Sequence, residues 1–293
     1  MSSLDKNKYL NSRRTQNRSR VAQSIINFYH EVKDGDYIVL PYPLSFGKIM
    51  VGRATDFIFP FTLDSIYGGI SIPARRIDWT LEIHENKIST DLSRSLRNET
   101  PISLLENSRF IEVFSLAHGS FVHGERHVST IYNDKDDFLD IDASLLGTIS
   151  RISSAICHYI DHPQQYTAEP YLLDVLLSQS PIEYSCSQEV DIHSVGFNRY
   201  IAATLVPMVI SALTGTLIHL SGQDSKEAVA AEINKIQYVN SGDGADPQCT
   251  ARVSEASKAA LKLMGIDNTW NLCQTMKASK ARAGLRPSAT PKL

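Results

Sequence analysis

Strand-like segments separated by turn residues, close to the start of the chain, most constrain how it can fold. The turn Asp34-Gly35-Asp36 leads into a β-branched and aromatic segment, which is the composition that strands favour. Gly52, within the next segment, indicates a bulge or a close backbone approach. Short strands at this spacing favour a small β-barrel. The predicted strands include residues 37–40, 48–51 and 70–83.

Aromatic and basic side chains lie on these segments, and their orientation is open. Trp79, at the end of a strand, belongs either to the core or to the wall of a ligand site. The phenylalanines in residues 57–61 alternate, so all of them could face inward. Arg75 and Arg76 are adjacent and therefore point to opposite faces of their strand, so at most one faces a ligand.

Four short sequences in this region resemble the PUA-like (EVE-like) N-terminal domains of Mrr-type and McrB-type modification-dependent restriction proteins. The resemblance covers about residues 20–115, a third of the chain. The sequences are Gly-Asp-Tyr-Ile-Val-Leu-Pro at 35–41, Val-Gly-Arg at 51–53, Arg-Arg-Ile-Asp-Trp at 75–79 and Leu-Arg-Asn-Glu-Thr-Pro-Ile at 96–102.

The resemblance implies a ligand class and a set of site residues. In that superfamily the mouth of the barrel can receive a base, often a modified one, between aromatic walls. The family pattern has a His-Thr-Arg-like sequence before its tryptophan, whereas residues 72–76 here read Ile-Pro-Ala-Arg-Arg. The implied nucleic-acid-binding residues are Tyr37, Phe57 and Trp79, which would stack on a base, and Arg53, Arg75 and Arg76, which would lie near phosphate.

Charge and cysteine content add weaker constraints. The net charge is −3, but basic residues concentrate in residues 1–20 and 277–293. Such ends either contact a polyanion or keep the chain soluble. The four cysteines form no Cys-x-x-Cys pair, which argues against a zinc site. Because no apolar run follows Met1, we expect no secretory signal and a cytoplasmic protein.

Two groups of residues invite a metal-site interpretation. Residues 118–127 contain three histidines and two glycines, but their spacing matches no standard motif. Glu183, Glu189 and Asp191 lie on a predicted strand pair, where carboxylates could hold Mg²⁺ in a nuclease. The acidic-x-Lys strand of the Mrr-type nucleases is missing, since Ile192 and His193 follow Asp191. We therefore expect no metal and no cofactor.

Beyond residue 143 the patterns favour helices. Leu145, Ile149, Ile152 and Ile156 recur at the spacing of one helix face within residues 145–160. Residues 200–223 carry no charged side chain over a length that could cross a membrane. That segment is either a buried central helix, since polar residues and Pro207 dilute it, or a membrane-inserting helix.

These observations predict an α+β protein: a small PUA-like β-barrel followed by a mainly helical domain with a short β-hairpin. We expect a nucleic-acid-binding protein of prokaryotic defence against foreign DNA, one that could read modified bases, and not an enzyme. Its partners would be nucleic acid, DNA foremost, and proteins of a defence system. The alternatives are a membrane-acting effector that uses residues 200–223 and a metal-dependent nuclease. The predicted segments are a basic arm (1–20), the barrel (21–116), a linker (117–143), the helical domain (144–277) and a disordered basic tail (278–293).

Overall fold

The computed structural model shows an α+β protein with antiparallel sheets, which confirms the predicted fold class at this level. The chain divides into two compact units, Met1–Ala117 and His118–Leu293. The predicted basic arm, 1–20, lies outside the described residues. The structure describes residues 23–24, 26–41, 47–62, 71–97, 102–166, 175–176, 182–191, 196–239, 247–288 and 290–292.

The first unit is a three-stranded sheet with two helices. The strands pair antiparallel in the order β1-β2-β3. The elements are β1 Tyr37–Pro41, β2 Lys48–Thr62, β3 Ser71–His84, α1 Thr90–Leu96 and α2 Phe110–His118, with a π-turn at Asn27–Glu31 and 3₁₀ turns at Glu85–Lys87 and Asn107–Arg109.

This sheet is open, so the predicted closed barrel is not present among the described strands. The short strands expected between residues 48 and 83 are instead two long ones, β2 and β3, of 15 and 14 residues. They form a single antiparallel ribbon, whereas closure would require β3 to pair onward towards β1.

A small core lies on one face of the sheet, and it explains where the helices sit. Its buried members are Ile49, Val51, Ile88, Leu92 and Val113. The helix α1 begins at a serine cap, because the Ser89 hydroxyl accepts the backbone N–H of Leu92 at 3.0 Å. The buried Glu112 carboxylate on α2 accepts both the backbone N–H and the hydroxyl of Ser89 at 2.7 Å. That contact joins α2 to the start of α1.

The second unit combines a larger sheet with three long helices. Its strands run in the order β4-β5-β7-β6, with β9 also paired to β5, and β10 pairs separately with β8. The elements are β4 Phe121–His123, β5 Arg126–Asn133, α3 Asp140–Asp161, β6 Ser187–Asp191, β7 Gly196–Ala202, α4 Val206–Leu220, α5 Lys226–Ile233, β8 Gln237–Val239, α6 Pro247–Ala283, β9 Leu285–Pro287 and β10 Thr290–Lys292, with 3₁₀ turns at Pro163–Gln165 and Ile182–Tyr184.

The core of the second unit surrounds α4. This helix packs against α3, α6 and β5, and 13 of its 15 residues are buried. A helix that is apolar on nearly every side is stable only when other elements cover all of it. Within the described ranges, no helix combines the length and the apolar character that crossing a membrane requires. The charge-free segment 200–223 is therefore the end of β7 followed by a buried helix.

Three features of the second half differ from the sequence predictions. The linker predicted at 117–143 contains β4 and β5, which belong to the main sheet. The disordered tail predicted at 278–293 contains the end of α6 and two strands, β9 and β10, held by pairing with β5 and β8. The strand pair predicted to carry Glu183, Glu189 and Asp191 is not formed as expected, because Glu183 lies in the 3₁₀ turn Ile182–Tyr184 while Glu189 and Asp191 lie on β6. The strand β6 pairs instead with β7, which pairs in turn with β5, so both belong to a larger sheet.

Candidate functional site

The outer half of the β2–β3 ribbon is a largely exposed part of the first unit. The strand β1 pairs with β2 only from Ile49 to Arg53, so beyond this point the ribbon has two strands. The outer half begins where Ile58 pairs with Arg75 and continues to the pairing of Thr62 with Ser71.

A β-bulge separates the two halves of the ribbon. Ala54 pairs with Ile77 and Ile58 with Arg75, so residues 55–57 face a single residue, Arg76. The Thr55 hydroxyl donates to the Arg76 carbonyl at 3.1 Å, which fixes the extra residues. Bulges bend a strand and redirect its side chains, and they recur beside functional sites.

Three phenylalanines follow one another along β2, from Phe57 in the bulge to Phe59 and Phe61 in the outer half. The rings of Phe57 and Phe59 stack with centroids 5.4 Å apart, and those of Phe59 and Phe61 meet edge to face at 6.4 Å. They therefore share one side of the ribbon, and we call them the aromatic ladder. Phe57 is 62% exposed and Phe61 44%, so the ladder does not face inward to a core.

The strand register places Arg76 beside the ladder. Phe59 pairs with Ala74, and cross-strand partners share a face of a sheet. Arg76 and Asp78 follow Ala74 at alternate positions on β3, so they lie on that same face. Both are exposed, and the Arg76 Nε donates to Asp78 Oδ1 at 3.2 Å.

The same face continues across the sheet to β1. Asp78 pairs with Arg53, and Arg53 pairs with Tyr37. The Arg53 guanidinium lies 5.7 Å from the centre of the Tyr37 ring, which in turn contacts Phe114 of α2 at 4.4 Å. The surface formed by the ladder, Arg76, Arg53 and Tyr37 is called the ladder face.

The remaining predicted site residues lie on the opposite face. Trp79 adjoins Asp78 on β3 and is 41% exposed, opposite Gly52. Arg75 pairs with Ile58 and is half-buried. Its Nη1 and Nη2 donate to the backbone carbonyls of Thr55 and Phe28 at 3.2 and 3.1 Å. Arg75 therefore joins the bulge to the π-turn Asn27–Glu31 instead of presenting its charge to solvent.

Of the six residues predicted from sequence, the structure groups Tyr37, Arg53, Phe57 and Arg76 and separates Arg75 and Trp79 from them. Phe59 and Phe61 complete the group, although the sequence did not select them. Their alternation with Phe57 was visible in the sequence, but only the structure shows that, among the described residues, this end of the ribbon leaves Phe57 and Phe61 exposed.

The residues considered for a metal do not converge in the described part of the chain, where no group of three His, Cys, Asp or Glu side chains could hold an ion. His123 and His127 lie on the paired strands β4 and β5. The Glu189 carboxylate accepts a hydrogen bond from the Arg199 Nη1 at 2.7 Å, so it neutralises a buried arginine.

Comparisons with models of protein families, with curated proteins and with solved structures find no match to this chain.

Proposed function

We propose that the first unit binds nucleic acid through the ladder face, with bases stacked on the phenylalanines and phosphates held by Arg53 and Arg76. The observation that carries this proposal is a row of three aromatic rings, of which Phe57 and Phe61 are exposed and Phe59 is half-buried, beside two exposed arginines on one side of a ribbon. Proteins that bind single strands combine aromatic side chains, on which bases stack, with basic groups that follow the backbone.

The geometry favours unpaired bases as the ligand. Stacking on a phenylalanine requires a base whose flat face is accessible, which a single strand or a flipped base provides. The ring centroids are 5.4 and 6.4 Å apart, so neighbouring rings are separate platforms along β2. The surface is polar at its other end, where Asp78 lies between Arg53 and Arg76.

The resemblance of residues 20–115 to PUA-like domains adds the expectation of a modified base and of a role in defence against foreign DNA. An open sheet offers a face instead of a barrel mouth, so the resemblance supports the ligand class and not the manner of binding. A protein that binds foreign DNA in a bacterial cell would act in the cytoplasm.

Binding is tested by fluorescence anisotropy with labelled single-stranded and duplex DNA, unmodified and base-modified, at low salt. We expect single strands to bind more tightly than duplex. The double variant Phe57→Ala/Phe61→Ala should weaken binding by about tenfold or more, because each lost stack costs about 1–3 kcal/mol.

Trp79→Ala is the matched control, because it removes an aromatic side chain of similar exposure from the opposite face of the same ribbon. It should leave the affinity unchanged. The proposal fails if no nucleic acid binds at low salt, or if Trp79→Ala weakens binding as much as the ladder variant does.

A further inference from the structure

A pocket of about 330 Å³ lies in the second unit, where the ends of three helices meet. Cys157 and Asp161 line it from the last turn of α3, and His127 lines it from β5. Thr204 contributes from the segment before α4, and Arg252 from the start of α6. The volume is at the lower end of the range for small-molecule sites, about 300–1,000 Å³.

The N-terminal ends of two helices border this pocket. Residues 203–205, which line it, immediately precede α4, and Gln248 and Cys249 lie in the first turn of α6. The N-terminus of a helix carries a partial positive charge that favours anions. The helix α4 has 15 residues, and α6 runs from Pro247 to Met264 before non-helical backbone at Gly265 interrupts it, so each aligns enough peptide dipoles for this effect.

Arg252 adds a guanidinium to the pocket, and the Asp161 carboxylate fixes its position. Its Nη2 donates to Asp161 Oδ1 at 2.6 Å, and the other oxygen of that carboxylate accepts the Tyr184 hydroxyl at 2.9 Å. Both Asp161 oxygens are therefore engaged, and the carboxylate orients Arg252. A guanidinium has five N–H donors, so donors beyond the one given to Asp161 remain for a ligand.

The Thr204 Oγ1 atom in the pocket wall is buried and has no hydrogen-bond partner within the described part of the chain, and the His127 imidazole lines the same pocket. Buried polar atoms are nearly always hydrogen-bonded, so this hydroxyl is available to a ligand oxygen. Burial lowers the pKa of His127, and the nearby Arg252 charge acts in the same direction, while a hydrogen bond with the Ala203 backbone opposes them. Burial therefore favours the neutral form of the imidazole.

We propose that this pocket binds a small phosphate monoester, with its phosphate held by Arg252 and the helix ends and its carbon skeleton against Ile160, Leu205 and Ala256. Phosphate geometry suits the planar, multidentate donors of arginine. Since Asp161 offsets the charge of Arg252, we expect modest affinity that depends on directional donors and not on net charge.

The occupant is limited in size by the walls. A volume of about 330 Å³ accommodates one nucleotide-sized molecule and not an oligonucleotide. The site is therefore independent of the ladder face, which lies in the other unit, and either proposal stands if the other fails.

Calorimetric titration of the full chain with adenosine monophosphate, adenosine and inorganic phosphate tests the site. We expect the monophosphate to bind and to raise the melting temperature, inorganic phosphate to bind more weakly, and adenosine not to bind. Arg252→Ala should weaken monophosphate binding at least tenfold, and Arg252→Lys, which keeps the charge but loses the planar donors, should weaken it less.

Lys262→Ala is the matched control, because it removes one positive charge from the exposed surface of the same helix, away from the pocket. It should bind like the wild type. The proposal is overturned if the folded wild type binds no monophosphate at millimolar concentration, if adenosine binds equally well, or if Lys262→Ala weakens binding as much as Arg252→Ala. Circular dichroism shows whether each variant folds. If Arg252→Ala does not fold, Thr204→Val takes its place as the test of the pocket, and we expect it to weaken monophosphate binding severalfold.

Discussion

Gly52 of β2 pairs with Trp79 of β3, and a side chain at position 52 would collide with its neighbours. A Cβ there would stand 2.8 Å from Cε3 of the indole ring, 2.8 Å from the Asp78 carbonyl oxygen and 2.8 Å from Cγ2 of Ile77. One of these atoms is backbone and another belongs to a rigid ring, so neither yields easily. The close approach of Trp79 to the ribbon therefore depends on glycine at this position.

We expect Gly52→Ala to destabilise the first unit by about 1–3 kcal/mol, the usual effect of overpacking. Urea unfolding followed by Trp79 fluorescence, in a Trp270→Phe background, measures the change. Gly147→Ala is the control, because Gly147 lies in α3 with no atom within 4 Å of a built Cβ. It should be neutral or stabilise by up to about 1 kcal/mol, as expected when alanine replaces a helical glycine. If Gly52→Ala leaves the urea midpoint unchanged, the two strands can move apart without loss of unfolding free energy, and the prediction is wrong.

The salt dependence of DNA binding should separate the arginines of the ribbon by their contacts. Arg53→Ala and Arg76→Ala should each reduce the slope of log K against log salt by about 0.7 on single strands, because each removes one phosphate contact. Arg75→Ala should leave that slope unchanged and lower stability, because Arg75 donates to the backbone carbonyls of Thr55 and Phe28. Equal slopes for all three variants would contradict the assignment of phosphate contacts to the ladder face.

The fully buried Asp142 carboxylate should make the second unit sensitive to acid. Burial alone would raise its pKa, but hydrogen bonds from Arg282, Ser279 and the Leu139 backbone hold the pKa below its ordinary value. Its stabilisation is therefore complete above the unfolded-state pKa of about 3.9 and is lost as the pH falls through the lower folded-state value.

Asp142→Asn should cost about 2–4 kcal/mol at pH 7, since it leaves the partly buried Arg282 without its charge partner. The difference from the wild type should shrink at pH 3, because this pH lies below the unfolded-state pKa of about 3.9 and the unfolded chain is then protonated at this carboxyl. Urea unfolding at both pH values measures it. Asp140→Asn removes an exposed carboxylate two residues earlier and should change stability by less than about 0.5 kcal/mol. Equal effects of the two variants would show that Asp142 has no special role.

His158 should contribute a second pH dependence in a higher range. It is buried on α3, with Nδ1 2.6 Å from the Tyr166 hydroxyl. Burial lowers its pKa, the neighbouring His162 lowers it further, and the carboxylates of Glu183 and Asp161 partly oppose the shift. Because the folded-state pKa is depressed, the stabilisation is complete above the ordinary value of about 6.5 and falls as the pH drops through the folded-state value.

His158→Gln should therefore reduce the slope of unfolding free energy against pH between about pH 5 and 6.5, by at most 1.4 kcal/mol per pH unit. Tyr166→Phe is the comparison, because it removes the hydrogen bond but keeps the imidazole, so the slope should remain. Urea midpoints across this range measure both. An identical slope for His158→Gln and the wild type would exclude His158 as the titrating group.

Local sequence patterns predicted some of these elements because their causes are local. The helix predicted over 145–160 lies within α3, and Leu145, Ile149, Ile152 and Ile156 are all buried, as the 3.6-residue period requires. The alternation in residues 57–61 correctly placed the three phenylalanines on one face. Neither pattern specifies which face another element covers, which is why the ladder face could not be recognised from sequence.

Features that depend on distant pairing could not be predicted in this way. Whether the first sheet closes depends on which strand edges meet, and no local pattern encodes that. The pocket in the second unit gathers His127, Asp161, Thr204 and Arg252 from separate elements, so no spacing motif marks it. The short strand β9 forms only because β5, more than 150 residues earlier, offers it an edge.

The composition near the C-terminus predicts a disordered tail, whereas the structure has the strand β9 there. Its composition is that of a basic tail, yet Leu285 and Pro287 are buried and β9 pairs with residues 131–133 of β5. Just beyond it, the Ser288 hydroxyl lies 2.7 Å from that of Ser120 and accepts the Thr130 backbone N–H at 3.2 Å. These contacts tie the end of the chain to the centre of the sheet.

A chain that ends at Gly284 should therefore lose much of the stability of the second unit. Leu285→Ala in the full chain, which keeps the backbone but removes one buried side chain, should cost about 2–5 kcal/mol. Arg286→Ala is its matched control, because the neighbouring side chain is half exposed and forms a surface ion pair with Asp134 worth at most about 1 kcal/mol. Thermal and urea unfolding measure all three. If the segment were the dispensable tail that its composition predicts, the truncated chain and Leu285→Ala would both unfold like the wild type. If the sheet requires its last strand, the truncation should lower stability most, Leu285→Ala less, and Arg286→Ala least.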